Sequence, residues 1–514
     1  MSSQISRRSF LKLLSLLSLT PLLNERLHLF EETSSLPQNQ GAPNMLILVF
    51  DTLSAKHVSV YGYNRKTTPH LARFAERATV YHAHYAGGNF TPPGTASLLT
   101  GTYPWSHRAF SPLARVAESY KHRNLFRVFG ETYNRIAYTH NWHTNVFLHQ
   151  FQDDVDVLID PREFYLFKRE FLDQVFPNDA EIAYRSDVSL FRIVKDTNPG
   201  SLFLSVVNRL RHDYVENVLR RELANLYPTG VPYFQESFFL LEHAIDGIKT
   251  LISTSRQPFL GYFHLIPPHA PYRPRREFTG LFDDGWVPVA KEPHFFSEGR
   301  SDEFLNQKRR QYDEYIADTD AEFGRLYDFM AQAGMLDNTY VVFTTDHGEM
   351  FERGILAHST PTLYEPIIRI PLLISKPKQQ QREDVYTPTS CIDLLPTLLQ
   401  VTGQTIPDWC EGEVLPTFGD KEASGGRSIF SVEACRTPKH APLTKATAAL
   451  IKDQYKLIHY FGYDGYENGY ELYDLANDPE EMEDLYLSRK SVAADLQSEL
   501  EEKLREVNQP YLSK

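Results

Sequence analysis

Three short segments, far apart in the chain, carry residue types that together activate a hydroxyl. The apolar run from Met45 to Phe50 ends in Asp51, and the run from Val341 to Thr345 ends in Asp346-His347-Gly348. Between them lies Thr91-Pro92-Pro93-Gly94-Thr95-Ala96-Ser97-Leu98-Leu99-Thr100-Gly101. A threonine hydroxyl is a weak nucleophile at neutral pH and needs a base or a metal ion to lower its pKa. At a strand end the chain turns, so Asp346 and His347 can both face the point that Asp51 faces. Asp51, Asp346 and His347, with Thr91, are therefore the candidate ligands of one divalent metal ion. A mixed oxygen and nitrogen donor set suits zinc, manganese or iron better than calcium, which takes oxygen alone. Such an ion also binds charge that develops on a phosphoryl or sulfuryl oxygen. His264, His269, His143 and His358 are candidates for substrate contacts or proton transfer, and His269 and His358, each in a loop beside a site strand, for protonating a leaving oxygen. Any one of these acids alone reads as a helix cap and any one histidine as structural; the joint pattern carries the chemistry. A helix starting at Ala96 would turn its N-terminal amides toward an anion beside Thr91.

Positioning those residues takes strands and helices in alternation. Strand-like runs cover 45–50, 135–138, 259–265, 341–345 and 371–374, and helical spacing covers 69–78, 312–333 and 393–401. Alternation of this kind predicts a large, mostly parallel sheet sandwiched by helices, with its site at the carboxyl ends of the strands. Asp51, His269 and Asp346 fall there. Residues 151–240 are rich in Phe, Tyr, Arg and Glu and look helical without any catalytic spacing. They read equally as a substrate-selecting insertion or as helices covering the sheet. From about 403 the pattern becomes short strands at 428–432, 446–451, 455–460 and 470–473, then a charged helix over 488–507. That is the pattern of a smaller α+β unit with an antiparallel sheet. The expected division is a leader and linker over 1–43, a catalytic domain over 44–402 and a C-terminal subdomain over 403–514.

The chain has 514 residues and a formal net charge of −13, spread along its length, which argues against nucleic acid as a partner. Its three cysteines, Cys391, Cys410 and Cys435, form no CxxC or Cys/His cluster, which argues against a zinc finger or a thiol redox site and leaves room for one disulfide with an odd thiol over. Ser6-Arg7-Arg8-Ser9-Phe10-Leu11-Lys12 precedes an apolar run from Leu13 to Leu23, the pattern of an export signal rather than of a spanning helix. The paired arginines resemble a twin-arginine signal. The expectation is a protein exported by that route to the periplasm or another extracytoplasmic site. Without a clear small-x-small cleavage site, the segment would also remain as a membrane anchor.

These segments, in this order, resemble the sulfatase family of the alkaline phosphatase superfamily. The resemblance rests on Asn44 to Thr52 with Tyr61-Gly62-Tyr63, on the segment that begins at Thr91, and on Pro267-Pro268-His269-Ala270-Pro271-Tyr272. It extends through Thr345-Asp346-His347-Gly348-Glu349, Tyr364-Glu365, Ile392-Asp393-Leu394-Leu395-Pro396 and Tyr470-Glu471-Leu472-Tyr473-Asp474. It implies the α/β sulfatase fold, one divalent metal ion and ester hydrolysis. The departures concern chemistry. Family members carry a Cys or Ser, converted to formylglycine, in a Cys/Ser-x-Pro-x-Arg setting; here Thr91 holds the nucleophile position and Thr95 the arginine position. Thr52 stands where a second acid is usual, and Asn141-Trp142-His143 lacks the family's lysine. Threonine nucleophiles in the superfamily are those of phosphodiesterases, phosphonate hydrolases and lipid phospho-group transferases. The resemblance thus implies a hydrolase acting through Thr91 on phosphate-type or sulfate esters of a small molecule, glycan or lipid. Two other readings stay open at this point: a phospho-alcohol transferase acting on envelope lipid or glycan, and a binding protein that keeps the fold without catalysis.

Overall fold

The computed structural model describes residues 41–112, 114–166, 201–234, 237–419, 426–466 and 469–512. The expected export signal lies outside the described residues. Among those described, no helix is long and apolar enough to cross a membrane.

The large sheet has eight strands: β1 (Asn44–Phe50), β2 (Thr79–Tyr81), β3 (Asn134–Thr139), β4 (Val157–Leu158), β5 (Phe259–Leu265), β6 (Thr339–Thr344), β7 (Leu372–Ser375) and β8 (Glu383–Val385). Their spatial order is β8-β2-β7-β6-β1-β5-β3-β4. β1 lies at the centre, parallel to β5 on one side and β6 on the other. Only β7 runs against its neighbours in this sheet, antiparallel to both β6 and β2. The mostly parallel sheet expected from the alternation is therefore present, with one reversed strand.

Alternate side chains of β1 show why it can be apolar throughout. Leu46, Leu48 and Phe50 join one buried cluster with α1 (Pro69–Ala75), α5 (Leu241–Thr254) and α6 (Asp302–Gln332). Met45, Ile47 and Val49 join a second cluster with α2 (Thr91–Thr100), α3 (Trp142–Gln150) and α7 (Leu394–Val401). A strand covered on both faces reads as a continuous apolar run. Helix α4 (Leu202–Glu222) lies in the 151–240 stretch, and α8 (Lys490–Leu512) ends the described chain. A second sheet, β9 (Ser428–Glu433), β10 (Ala446–Lys452), β11 (Tyr455–Phe461) and β12 (Gly469–Asp474), is antiparallel throughout. Both sheets belong to one unit, Asn39–Lys514.

Two helices begin earlier than periodicity indicates. α6 starts at Asp302, where the Ser301 side chain accepts from the Phe304 amide, rather than at Tyr312. Over residues 302–311 only Phe304 and Leu305 are apolar, too few to show a helical stripe. α2 begins at Thr91 itself rather than at Ala96, because Pro92 and Pro93 occupy its first turn, where a missing amide proton costs nothing.

Candidate active site

The carboxyl ends of β1, β5 and β6 meet at one buried point. Asp51 follows β1 directly, and the next residue, Thr52, adopts a left-handed conformation at φ 67. That uncommon backbone is held from three sides. Thr52 Oγ1 donates to Asp51 Oδ1 at 2.5 Å, its amide donates to Asp346 Oδ1 at 3.3 Å, and its carbonyl accepts from the Tyr312 hydroxyl at 2.5 Å. The turn aims Asp51 at Asp346, and both are essentially inaccessible.

Two imidazoles close the cluster. His264, on β5, places Nε2 3.3 Å from Asp51 Oδ2 and 3.7 Å from Asp346 Oδ2. His347 places Nε2 3.6 Å from Asp51 Oδ1 and 3.6 Å from Asp346 Oδ2. His347 Nδ1 lies 3.0 Å from the Gly348 carbonyl, which can only accept. The ring proton therefore sits on Nδ1, and Nε2 turns a lone pair to the cluster. Asn141, which caps α3 by accepting from the amides of His143 and Thr144, also donates through Nδ2 to Asp51 Oδ2.

The electrostatics of the cluster are those of an ion site. Burial would raise the Asp51 carboxyl, but the hydrogen bond from His264 and the charges of the surrounding histidines outweigh it and hold Asp51 well below the carboxylate range. Burial and the facing Asp51 charge push Asp346 upward. Two buried carboxylates aimed at one point, with imidazole nitrogens between them, fit a divalent cation. Ligand atoms of Asp51, His264 and Asp346 lie within 4.8 Å of one another. His264, expected from the sequence to contact substrate or transfer a proton rather than to hold the ion, thus faces the cluster together with His347. Its signal was its place at the carboxyl end of a central strand, where Val49 and His264 pair in register.

Thr91, 3% exposed, opens α2 beside this cluster, with Oγ1 3.4 Å from His347 Nε2. Gly94 lets the helix approach so closely: a Cβ there would lie 2.3 Å from the Asp346 carbonyl oxygen. Thr95 Oγ1 stands 3.5 Å from Asp346 Oδ2. The expected cradle of helix amides is not formed. Pro92 and Pro93 have no N–H, and the Gly94 amide already donates to the Phe90 carbonyl at 3.1 Å.

A cavity of about 410 Å³ opens over Thr91, and His143, His269 and His358 line it. No Lys, Arg, Asp or Glu is among its described lining residues. The His358 ring packs on His347 with centroids 4.4 Å apart, and its Nδ1 lies 3.1 Å from Glu349 Oε1. Burial would lower its pKa, but the Glu349 charge and hydrogen bond hold it above the ordinary imidazole value. His269 Nδ1 donates to the Ala270 carbonyl at 2.7 Å. His143 is pushed down to about 4 by burial, and its Nδ1 is buried without a partner. Such an orphan is uncommon and expects a ligand. Sequence reasoning did not single out Tyr233 and Phe234, which form part of the wall; Phe234 packs edge-on against His269 with centroids 5.1 Å apart.

Comparison with known proteins gives a consistent result. Residues 43–404 match the sulfatase family model, and residues 358–510 match the C-terminal model of N-sulphoglucosamine sulphohydrolase. The chain is 24% identical over 476 residues to a choline-sulfatase of Rhizobium meliloti, covering 87% of this chain and 82% of that protein. It is 23% identical over 504 residues to an N-acetylglucosamine-6-O-sulfatase of Bacteroides thetaiotaomicron, covering 91% and 87%. Among solved structures, a phosphonate monoester hydrolase of Agrobacterium radiobacter shares the fold, with a TM-score of 0.64, 17% identity, and coverage of 90% of this chain and 95% of that one.

Proposed function

The chain belongs to the sulfatase family, and from that premise we propose a metal-dependent hydrolase in which Thr91 attacks a phosphate-type ester or, second in preference, a sulfate ester. One observation carries this reading: Asp51, Asp346, His264 and His347 converge on one buried point, with the Thr91 hydroxyl 3.4 Å from His347 Nε2.

Asp51, Asp346, His264 and His347 are the side chains that would hold the ion. A divalent ion bound there supplies Lewis-acid stabilisation of the ester oxygens and lowers the pKa of a neighbouring hydroxyl. The chain's own groups do the rest. α2 presents Thr91 Oγ1, its proton passed to solvent, to the phosphorus, and the Oγ1–P bond forms. The bond from phosphorus to the leaving alcohol breaks, and His358 gives that oxygen the proton on Nε2, keeping its Nδ1 proton in the hydrogen bond to Glu349. Water, losing a proton to His358 Nε2, then attacks the phosphothreonine, and the phosphorus–Oγ1 bond breaks to release Thr91. His143, neutral and with Nδ1 unpartnered, and His269, with Nε2 free of the Ala270 contact, orient the non-bridging oxygens. Phosphate-type esters come first because threonine is not converted to formylglycine, the group through which the family cleaves sulfate. The arginine pair near the N-terminus supports export by the twin-arginine route.

Thr91→Ala tests the nucleophile. Turnover of aryl phosphodiester, phosphonate and sulfate esters should fall by roughly 10⁴-fold or more, as for other lost nucleophiles, with metal content unchanged. Undiminished turnover in the variant overturns the assignment.

A further inference from the structure

Asn89, two residues before Thr91, is fully buried. Its Nδ2 donates to two main-chain carbonyls of the loop that carries His358, to His358 itself at 3.0 Å and to Thr360 at 2.7 Å. Carbonyl oxygens only accept, so the amide can be turned only this way round. That leaves Asn89 Oδ1 buried without a hydrogen-bond partner. An unpaired buried acceptor is costly, and a leucine of the same shape would avoid that cost. The position therefore holds an amide for what its nitrogen does and not for what it adds to the core.

The loop needs such a hold. Residues 357–364 belong to no helix or strand, and Ala357 takes the left-handed conformation at φ 90, which a residue with a Cβ adopts only under constraint. The Ala357 amide donates to the Met350 carbonyl at 3.0 Å, and Glu349 grips the His358 ring. Those bonds tie the loop to the segment that follows Asp346 and His347. Asn89 ties it to the segment that ends in Thr91. That segment is itself fixed. The Gly87 carbonyl accepts from the Val432 amide of β9 at 2.9 Å, the Gly87 amide donates to Cys391 Sγ at 3.1 Å, and the Phe90 carbonyl accepts from the Gly94 amide. A short, anchored path thus runs from Thr91 through Phe90 and Asn89 to the main chain of His358.

We propose that Asn89 is a positioning residue, which holds His358 at the right separation from Thr91 for one group to attack while the other protonates the leaving oxygen. The proposal rests on the hydrolase reading. Attack needs Thr91, whereas departure of a poor leaving alcohol needs His358 as well. Loss of Asn89 should therefore be felt according to the leaving group.

Asn89→Leu keeps the side-chain shape and loses both donations; Asn89→Ala, assayed beside it, guards against a poor fit of leucine. The readout is kcat/KM of the metal-loaded proteins, which reports the steps up to departure of the alcohol. For an alkyl phosphodiester it should fall about 10²-fold, the scale of a small misplacement within a site. For the nitrophenyl analogue, whose leaving oxygen departs without a proton, it should stay near the wild-type value, with metal content unchanged. A merely structural role would lower both together, so an equal loss on the two esters, or a loss on neither, overturns the proposal. Hydrogen exchange read by mass spectrometry is the second arm. The amides of 357–360 should exchange faster in both variants while those of β1 and β6 keep the wild-type rate; unchanged exchange in the loop also overturns the proposal. A wild-type protein that splits neither ester overturns the hydrolase reading and this role with it, and faster loop exchange in the variants would still show the tether to be real.

Discussion

Glu349 decides which imidazole near Thr91 carries a proton. His347 and His143 are driven neutral by burial, whereas His358 is held above the ordinary value because Glu349 Oε1 accepts from its Nδ1. A raised pKa keeps an imidazole protonated to higher pH, and its acid function is lost as pH rises through that raised value. Glu349→Gln removes the charge, lets burial prevail and lowers the His358 pKa. The alkaline limb of the kcat/KM profile should therefore move to lower pH, with the acidic limb left in place; an unmoved alkaline limb excludes His358 as the acid. Asp51, Asp346 and His347 were legible in the sequence because each follows directly on an apolar run. His264 was harder to rank, since it sits inside such a run, where a histidine usually serves packing. Tyr233 and Phe234 carried no signal at all: an aromatic pair in an irregular stretch gains meaning only when the fold lays it beside His269.

Among the elements, α2 is the most constrained. Its first turn holds Pro92 and Pro93, its third residue after Thr91 touches the Asp346 backbone, and it stops at Gly101, whose φ of 63 suits glycine. Gly94→Ala should force the helix away from Asp346. Metal affinity should drop by about 10- to 100-fold, as when ligand-orienting contacts are lost, and activity with it, while far-ultraviolet circular dichroism stays native. An alanine variant with wild-type metal affinity shows that the contact is dispensable. The longer strands were legible nearly to the residue because burial on both faces leaves a continuous apolar signature, whereas β2, β4 and β8, of two or three residues each, were too short to show one. The start of α2 was not, because prolines punctuate turns and first helical turns alike. The reversal of β7 was also hidden, since strand direction depends on how connections cross the sheet and not on composition.

At the scale of the whole molecule, charged pairs tie the second sheet to segments outside it. Lys456, on β11, is fully buried, with Nζ 2.9 Å from Glu365 Oε1 and in contact with Glu481 Oε1; the Glu365 amide donates to Glu481 Oε2 at 2.8 Å. Burial would lower the lysine pKa, but the two carboxylates outweigh it and raise it. Arg427 makes a two-pronged bond to Asp393, at 2.8 and 2.6 Å, just before α7. Removing one partner of such a group strands the others without compensation. Lys456→Met should cost about 3–5 kcal/mol in chemical denaturation, far above the loss of an exposed ion pair; a change under about 1 kcal/mol shows that the acids find other partners. The sequence indicated two sheets but gave no sign of this lock, because a lysine and two glutamates spaced this far apart read as ordinary surface residues.

The central position of β1 sets the order of events on the ribosome. Asp51 is made early, but Asp346, which must face it, emerges only after two-thirds of the chain has been translated. A half-synthesised polypeptide therefore carries Thr91 and one acid with nothing opposite them. Under the proposed function, the acid pair of the metal site does not exist until β6 pairs with β1.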